Sequence, residues 1–268
     1  MALARGSSWL SLLSLLARGT NVLRWVVRIA LLLLVVDLFY LYVTWPDWQR
    51  YARGAVPKSN FMAEYERRRA EDPQLPRPRW QPVPYADLPR HLTRAVVLAE
   101  DSRFWEHKGF DLIAFKEAMS YNWSERRFAL GASTISQQTV KNLFLTRSKD
   151  PLRKWHELVL SWGMERHLSK TRILEIYLNV VEFGQGIYGV QAAAQAYWGM
   201  AARDLTLQQA VELVATLPAP IKNNPATRTE AFERRASKIQ ALIQRFPGEP
   251  PRDKAPYPSV VAPVSPGT

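Results

Sequence analysis

Two adjacent acids, Glu100 and Asp101, stand beside an aromatic pair, Phe104 and Trp105, and His107 and Gly109 follow at once. A carboxylate next to apolar rings loses hydration, which raises its pKa and suits it to move a proton near neutral pH. A second group, GASTISQQTVKN over 131–142, offers the hydroxyls of Ser133 and Thr134 at a helix start, with Gln138 and Lys141 one turn apart on one face. Free N–H groups at a helix start, with a lysine one to two turns in, form an anion cradle. The same spacing also describes a capped helix with a solvated lysine. A third group holds Lys149, Arg153, Lys154 and Glu157, in which the acid can pair with the cation three or four residues before it. Ion-pair networks on helix surfaces look the same. Taken together, two glutamates and several cations fit an inverting glycosyl transfer. A base deprotonates the acceptor hydroxyl, and positive side chains neutralise a pyrophosphate leaving group. A hydrolase cutting a glycosidic ether needs a protonated acid instead and has little use for the cations.

The elements that must position these groups read as helices. Leu88, Leu92, Ala95, Val96 and Ala99 recur at helical spacing and predict an amphipathic helix that ends at Glu100. Thr134 with Gln137, and Thr206 with Gln209, have the spacing of capping boxes, and Asp150 before Pro151 reads as an N-cap followed by proline at the first helical position. On the helix after Pro151, Trp155, Val159 and Trp162 have core spacing, and Glu157 is expected at the border of the buried stripe. SKTRILEIYLN and GVQAAAQAYWG read as packed helices that shape a cleft, and the glycines of FGQGIYG, 183–189, indicate a tight loop. A helix over 207–217 ends at Pro218 and Pro220. Strand-like alternation is scarce, so the body, 85–246, is expected to be mainly α.

The chain has 268 residues, a net charge of +12 and no cysteine, which rules out disulfides and thiol chemistry and favours an anionic partner. Residues 1–21 form a basic N-terminus without acids, and 22–45 are apolar apart from Arg24, Arg28 and Asp37, long enough to cross a bilayer. The arginine flank and the Tyr40, Tyr42, Trp45 and Trp48 belt predict a single transmembrane helix with its N-terminus in the cytoplasm. Residues 46–84, polar and proline-rich with a short helical stretch over 61–72, are expected to be an extended tether. Residues 247–268, rich in proline and poor in large apolar residues, are expected to be disordered. His91, His156 and His167 have no metal-ligand spacing and read as surface or packing residues. The arginines at 67–69 accompany no nucleic-acid motif, so no nucleic acid is expected as a partner.

EDSRFWEHKGFD, GASTISQQTVKN, RKWHE, SKTRILEIYLN and VEFGQGIYGVQAAAQAYWG occur in that order over roughly 85–220. They resemble the successive motifs of the bacterial peptidoglycan glycosyltransferases, the family that also forms the N-terminal half of bifunctional penicillin-binding proteins. No S-x-x-K or K-T-G occurs, so the resemblance is to the monofunctional biosynthetic form. It implies a mainly α, lysozyme-like glycosyltransferase domain, preceded by the transmembrane helix and carrying a membrane-dipping jaw near 110–130. It implies an inner-membrane protein whose catalytic domain is periplasmic, and it implies lipid II and the growing glycan strand as substrates. Other cell-wall synthesis proteins are compatible partners. Glu100 matches the general base that takes the proton from the acceptor 4-hydroxyl. Glu157 matches the family's second glutamate. Asp101, Phe104 and His107 match the rest of the first motif, Ser133, Thr134, Gln138, Lys141 and Asn142 the second, and Arg153 and Lys154 the third. Ala132 replaces a common second glycine. Lys149 stands where many members have an arginine that would touch pyrophosphate, with Arg147 nearby as a substitute. A divalent cation, magnesium or manganese, would travel with the substrate pyrophosphate, and neither a protein metal site nor an organic cofactor is expected. The alternative is a peptidoglycan-cleaving enzyme of lysozyme-like fold.

Overall fold

The computed structural model describes residues 7–124, 133–148 and 150–247, and the chain divides at Asp47/Trp48 into two separate units. The first is one long helix, α1 (Ser7–Val43). Its Leu23–Val43 portion, 21 residues with exposed leucine, valine and phenylalanine side chains, is long and apolar enough to cross a membrane.

The second unit is mainly helical. It comprises α2 (Trp48–Arg53), α3 (Asn60–Glu71), β1 (Arg79–Trp80), α4 (Arg90–Glu100), α5 (Leu112–Ser124), α6 (Ile135–Phe144), α7 (Pro151–His167), α8 (Lys170–Val180), β2 (Glu182–Gly184), β3 (Ile187–Tyr188), α9 (Val190–Trp198), α10 (Leu207–Thr216) and α11 (Glu230–Arg245). At its centre lies α8, whose Ile173, Leu174, Ile176, Tyr177 and Leu178 are wholly buried; a helix apolar on nearly every side belongs in the middle of a core. Around it, α6 packs on both α7 and α8, while α4, α10 and α11 pack on one another. Both capping boxes form: Thr134 with Gln137 opens α6, and Thr206 with Gln209 opens α10. Asp150 caps α7 ahead of Pro151.

Residues 48–84 are not a tether. Trp48 packs edge-on against Phe144, with ring centroids 5.7 Å apart, and stacks on His167 at 6.3 Å. Ser59 caps α3, whose Phe61, Met62 and Tyr65 enter the core. The proline-rich stretch beyond is extended, as proline requires, but it pairs. β1 runs parallel to β3, with Trp80 opposite Tyr188, and β2 lies antiparallel on the other side of β3. Asn179 of α8 fixes this edge, accepting from the Val83 N–H at 2.8 Å and donating to the Val83 carbonyl at 2.8 Å. The tight loop expected over 183–189 is the turn between β2 and β3. Gly186 has φ +71°, and a Cβ there would meet the Tyr65 ring at 2.8–3.0 Å.

α7 is turned opposite to its expected orientation. Leu152, Trp155 and Trp162 are exposed, and the inner face is Glu157, Leu160, Ser161 and Met164. These inward positions also recur at helical spacing, but two of the four are polar. Periodicity that counts only large apolar residues selects the tryptophan face instead. α5 falls within the stretch expected as a jaw; its Leu112, Ile113, Phe115, Met119 and Trp123 are exposed. The end of that stretch from 125 on, Gly131, Ala132, and the tail beyond Pro247 lie outside the described residues.

Candidate active site

Glu100 is the last residue of α4, with its side chain 12% exposed. One carboxylate oxygen accepts from Arg235 of α11 at 2.6 Å, and the other accepts from the Gln138 amide of α6 at 2.9 Å. The Gln138 carbonyl oxygen in turn accepts from the Tyr177 hydroxyl of α8 at 3.0 Å. Burial, reinforced by the negative charge of Glu100, holds the Tyr177 phenol well above its ordinary pKa, so it stays a donor. The carboxylate expected to lie against aromatic rings is therefore a paired one, bonded to a guanidinium and an amide. Phe104 is fully buried and packs instead against Trp105 at 5.1 Å and His107 at 6.2 Å, with the Lys170 ammonium over its ring at 4.4 Å.

The other residues of the first motif join two segments. Asp101 accepts from the Ile135 N–H at 2.9 Å, and both its oxygens lie 3.0 Å from His107 Nε2. The Gly109 N–H donates to His107 Nδ1 at 3.2 Å, which assigns the ring proton to Nε2, facing Asp101. The Thr134 hydroxyl donates to the Gly109 carbonyl at 2.7 Å. A carboxylate at the first turn of α6 also suits the positive end of its dipole. Gly109 has φ +94°, and a Cβ there would sit 3.0 Å from the Ser161 backbone, so this crossing over α7 requires glycine. Asp101, His107 and Thr134 are buried and spend their polar atoms on these contacts, so they set the position of α4 against α6 and present little surface to a ligand.

The second acid lies along α6 from the first. Glu157 of α7, its side chain 3% exposed, accepts from Arg153 at 2.7 Å and from the Lys154 ammonium. Lys154 also donates to Ser133 Oγ at 2.9 Å. Lys141 lies one turn beyond Gln138. Burial pushes its ammonium pKa below the ordinary lysine value; Glu157 opposes that shift, while Arg153, Lys154 and Arg147 add to it. Asn142 is buried and donates to the Gln138 carbonyl at 2.7 Å, which stiffens the turn that carries both groups. Lys149 lies outside the described residues. Arg147 is engaged elsewhere, paired with Glu182 at 2.9 Å and set 4.3 Å over the Phe61 ring. One helix thus serves both acids: Gln138 bonds Glu100, and Lys141 feels the charges of Glu157, Arg153 and Lys154.

Among the described residues, no three histidine, aspartate or glutamate side chains converge as a protein metal site would require. His91 bonds the Leu205 carbonyl at 2.7 Å and His167 bonds the Gly163 carbonyl at 2.7 Å, both packing roles. Sequence reasoning missed Arg235 and the hydroxyl of Tyr177. Arg235 left a signal: it falls three residues after Phe232 and four before Ile239, within the stripe of an amphipathic helix where a charge is unusual.

The family model described as Transglycosylase matches residues 71–244. Proteins named biosynthetic peptidoglycan transglycosylase are similar along much of the chain. The one from Methylobacillus flagellatus is 42% identical over 162 residues, 60% of this chain and 71% of its own. The one from Nitrosomonas eutropha is 40% identical over 201 residues, 73% of this chain and 80% of its own. The one from Chromobacterium violaceum is 37% identical over 220 residues, 77% and 94% respectively.

Proposed function

We propose that this chain, which belongs to the transglycosylase family and is a peptidoglycan glycosyltransferase of cell-wall synthesis, polymerises lipid II into β-1,4-linked glycan. Glu100 is the base. It takes the proton of the acceptor sugar's 4-hydroxyl as that oxygen attacks the anomeric carbon of the growing strand and inverts it. The bond to the pyrophosphate oxygen breaks, and its electron pair leaves on undecaprenyl pyrophosphate. Lys141, Arg153 and Lys154, joined by Lys149, neutralise that departing charge. Glu157 acts by holding Arg153 and Lys154 in place. Asp101, Phe104, His107, Thr134 and Asn142 keep the helices in register, while Ser133 steadies Lys154 and Gln138 steadies Glu100. A divalent cation, where one takes part, travels with the substrate's pyrophosphate.

The observation that carries this reading is the face of α6, which ties a base to a cation cluster within one helical turn. The pairing of Glu100 with Arg235 also favours a base over the protonated acid that a glycan-cleaving enzyme needs. We further assign α1 to the inner membrane with its N-terminus in the cytoplasm and the catalytic body in the periplasm. The exposed apolar side chains of α5 and α7 face the lipid from which the substrate is drawn. The purified full-length protein given lipid II and magnesium should yield lysozyme-sensitive polymer, and Glu100→Gln should lower the rate by roughly 10²–10⁴-fold. Polymer formed by that variant at the wild-type rate would exclude Glu100 as the base.

A further inference from the structure

Arg235 belongs to none of the five sequence motifs, yet it makes the shortest contact recorded for Glu100, at 2.6 Å. Its helix is well placed to deliver it. The apolar stripe Phe232, Ala236, Ile239 and Ile243 of α11 is buried, and Arg235 sits within it. At the far end, Arg94 of α4 donates to the Ile243 carbonyl at 2.8 Å and to the Phe246 carbonyl. α11 is thus held to α4 at two points, antiparallel, and the Arg235 guanidinium is set by a packed helix instead of a loop. Among the described residues, the groups bonded to Glu100 or next to it are themselves engaged. Gln138 from α6 donates to it, and Tyr177 from α8 donates to Gln138. Neighbouring Asp101 is committed to His107 and the Ile135 N–H. The cations of the second cluster are paired with Glu157.

We propose that Arg235 is a positioning residue for the reaction: its guanidinium keeps Glu100 ionised and aimed, and returns it to the ionised form after each sugar addition. This rests on the reading of Glu100 as the base. A guanidinium bonded to a carboxylate favours its charged form, the form that can accept a proton. Once Glu100 has taken the alcohol proton, Arg235 faces a neutral acid. The electrostatic preference for a carboxylate at that spot then drives the proton to solvent. The device lowers the strength of the base in exchange for its readiness, a trade that suits an enzyme repeating one step along a strand.

The test is the pH dependence of kcat/KM for lipid II polymerisation by wild-type, Arg235→Gln, Arg235→Lys and Glu100→Gln proteins, each full length and checked for a wild-type circular dichroism spectrum. Arg235→Gln should move the acid limb of the profile upward by roughly one pH unit or more and recover much of its rate at higher pH. Arg235→Lys keeps the charge and loses the planar fork, so it should leave the acid limb in place with a lower plateau. A fall in rate that is uniform across pH in Arg235→Gln, with the acid limb unmoved, would overturn the proposal while leaving the base intact. Should Arg235→Gln fail to fold, Arg235→Lys decides, because an upward shift of its acid limb despite the retained charge would also overturn it. Polymer from Glu100→Gln at the wild-type rate would remove both readings together.

Discussion

At the scale of single residues, the site separates its charges by task. Arg235 serves one acid, and Arg153 with Lys154 serves the other. Lys141 carries an energetic cost to the fold, since burial pushes its ammonium pKa below the ordinary lysine value. The sign of that cost is definite. Between the folded value and the ordinary one, the unfolded chain binds the extra proton and the folded chain does not, so stability rises with pH through that window. Below the window the charged lysine is a constant penalty. Lys141→Met should therefore raise Tm at pH 7 by about 2 °C or more while lowering polymerisation, and the gain should shrink as pH climbs through the window. Calorimetry across pH would show it; a lower Tm at pH 7 would mean the ammonium stabilises the fold. The pairing of Glu157 with Arg153 and Lys154 was legible from residue type and spacing. The partner of Glu100 was not, because Arg235 is 135 positions away and only tertiary packing brings them together.

Among the elements, α7 is the instructive case. Its tryptophans have the spacing of a core stripe, yet they face outward, while the inner face holds an acid and a serine. Tryptophan is usually well buried in a water-soluble domain, and this chain departs from that rule along α7. α5 follows the chain crossing at Gly109, beside Ser161 and Trp162, and it adds exposed Leu112, Ile113, Phe115 and Met119. Replacing Trp155 and Trp162 together with serine in a chain beginning at Trp48 should weaken binding to anionic phospholipid vesicles by roughly tenfold or more. The thermal midpoint should stay close to the parent's. Co-sedimentation measures the first and differential scanning fluorimetry the second; undiminished vesicle binding would assign the exposed face to another partner. The caps at Thr134, Asp150 and Thr206, by contrast, were readable, because a cap is decided by residues three apart.

For the whole molecule, the boundary between anchor and body falls at Asp47/Trp48, well before the proline-rich stretch. That stretch misled because β1 and β3 pair over only two residues each, too short to leave an alternating pattern, and because α3 is charged apart from a narrow apolar stripe. A chain starting at Tyr85 would lose the buried side chains of Trp48, Val56, Phe61, Met62 and Tyr65 as well as the β1 edge. Large core side chains are worth about 3–5 kcal/mol each when removed, against a total stability of about 5–15 kcal/mol for a typical domain. That chain should show no cooperative thermal transition and little near-ultraviolet circular dichroism, whereas a chain starting at Trp48 should show both. A cooperative melt from the shorter chain would mean that residues 48–84 are dispensable after all.

The bond from the Tyr177 hydroxyl to Gln138 has a directional outcome. A carboxylate can only accept, so the amide turns its NH₂ end to Glu100 and leaves its carbonyl oxygen to the phenol, which still carries the proton to give. One flank of each Glu100 oxygen is thereby spoken for, by an amide on one and a guanidinium on the other. Any further donor to Glu100 is confined to the flanks these two leave open, and a tyrosine buried behind the amide helps to fix which they are.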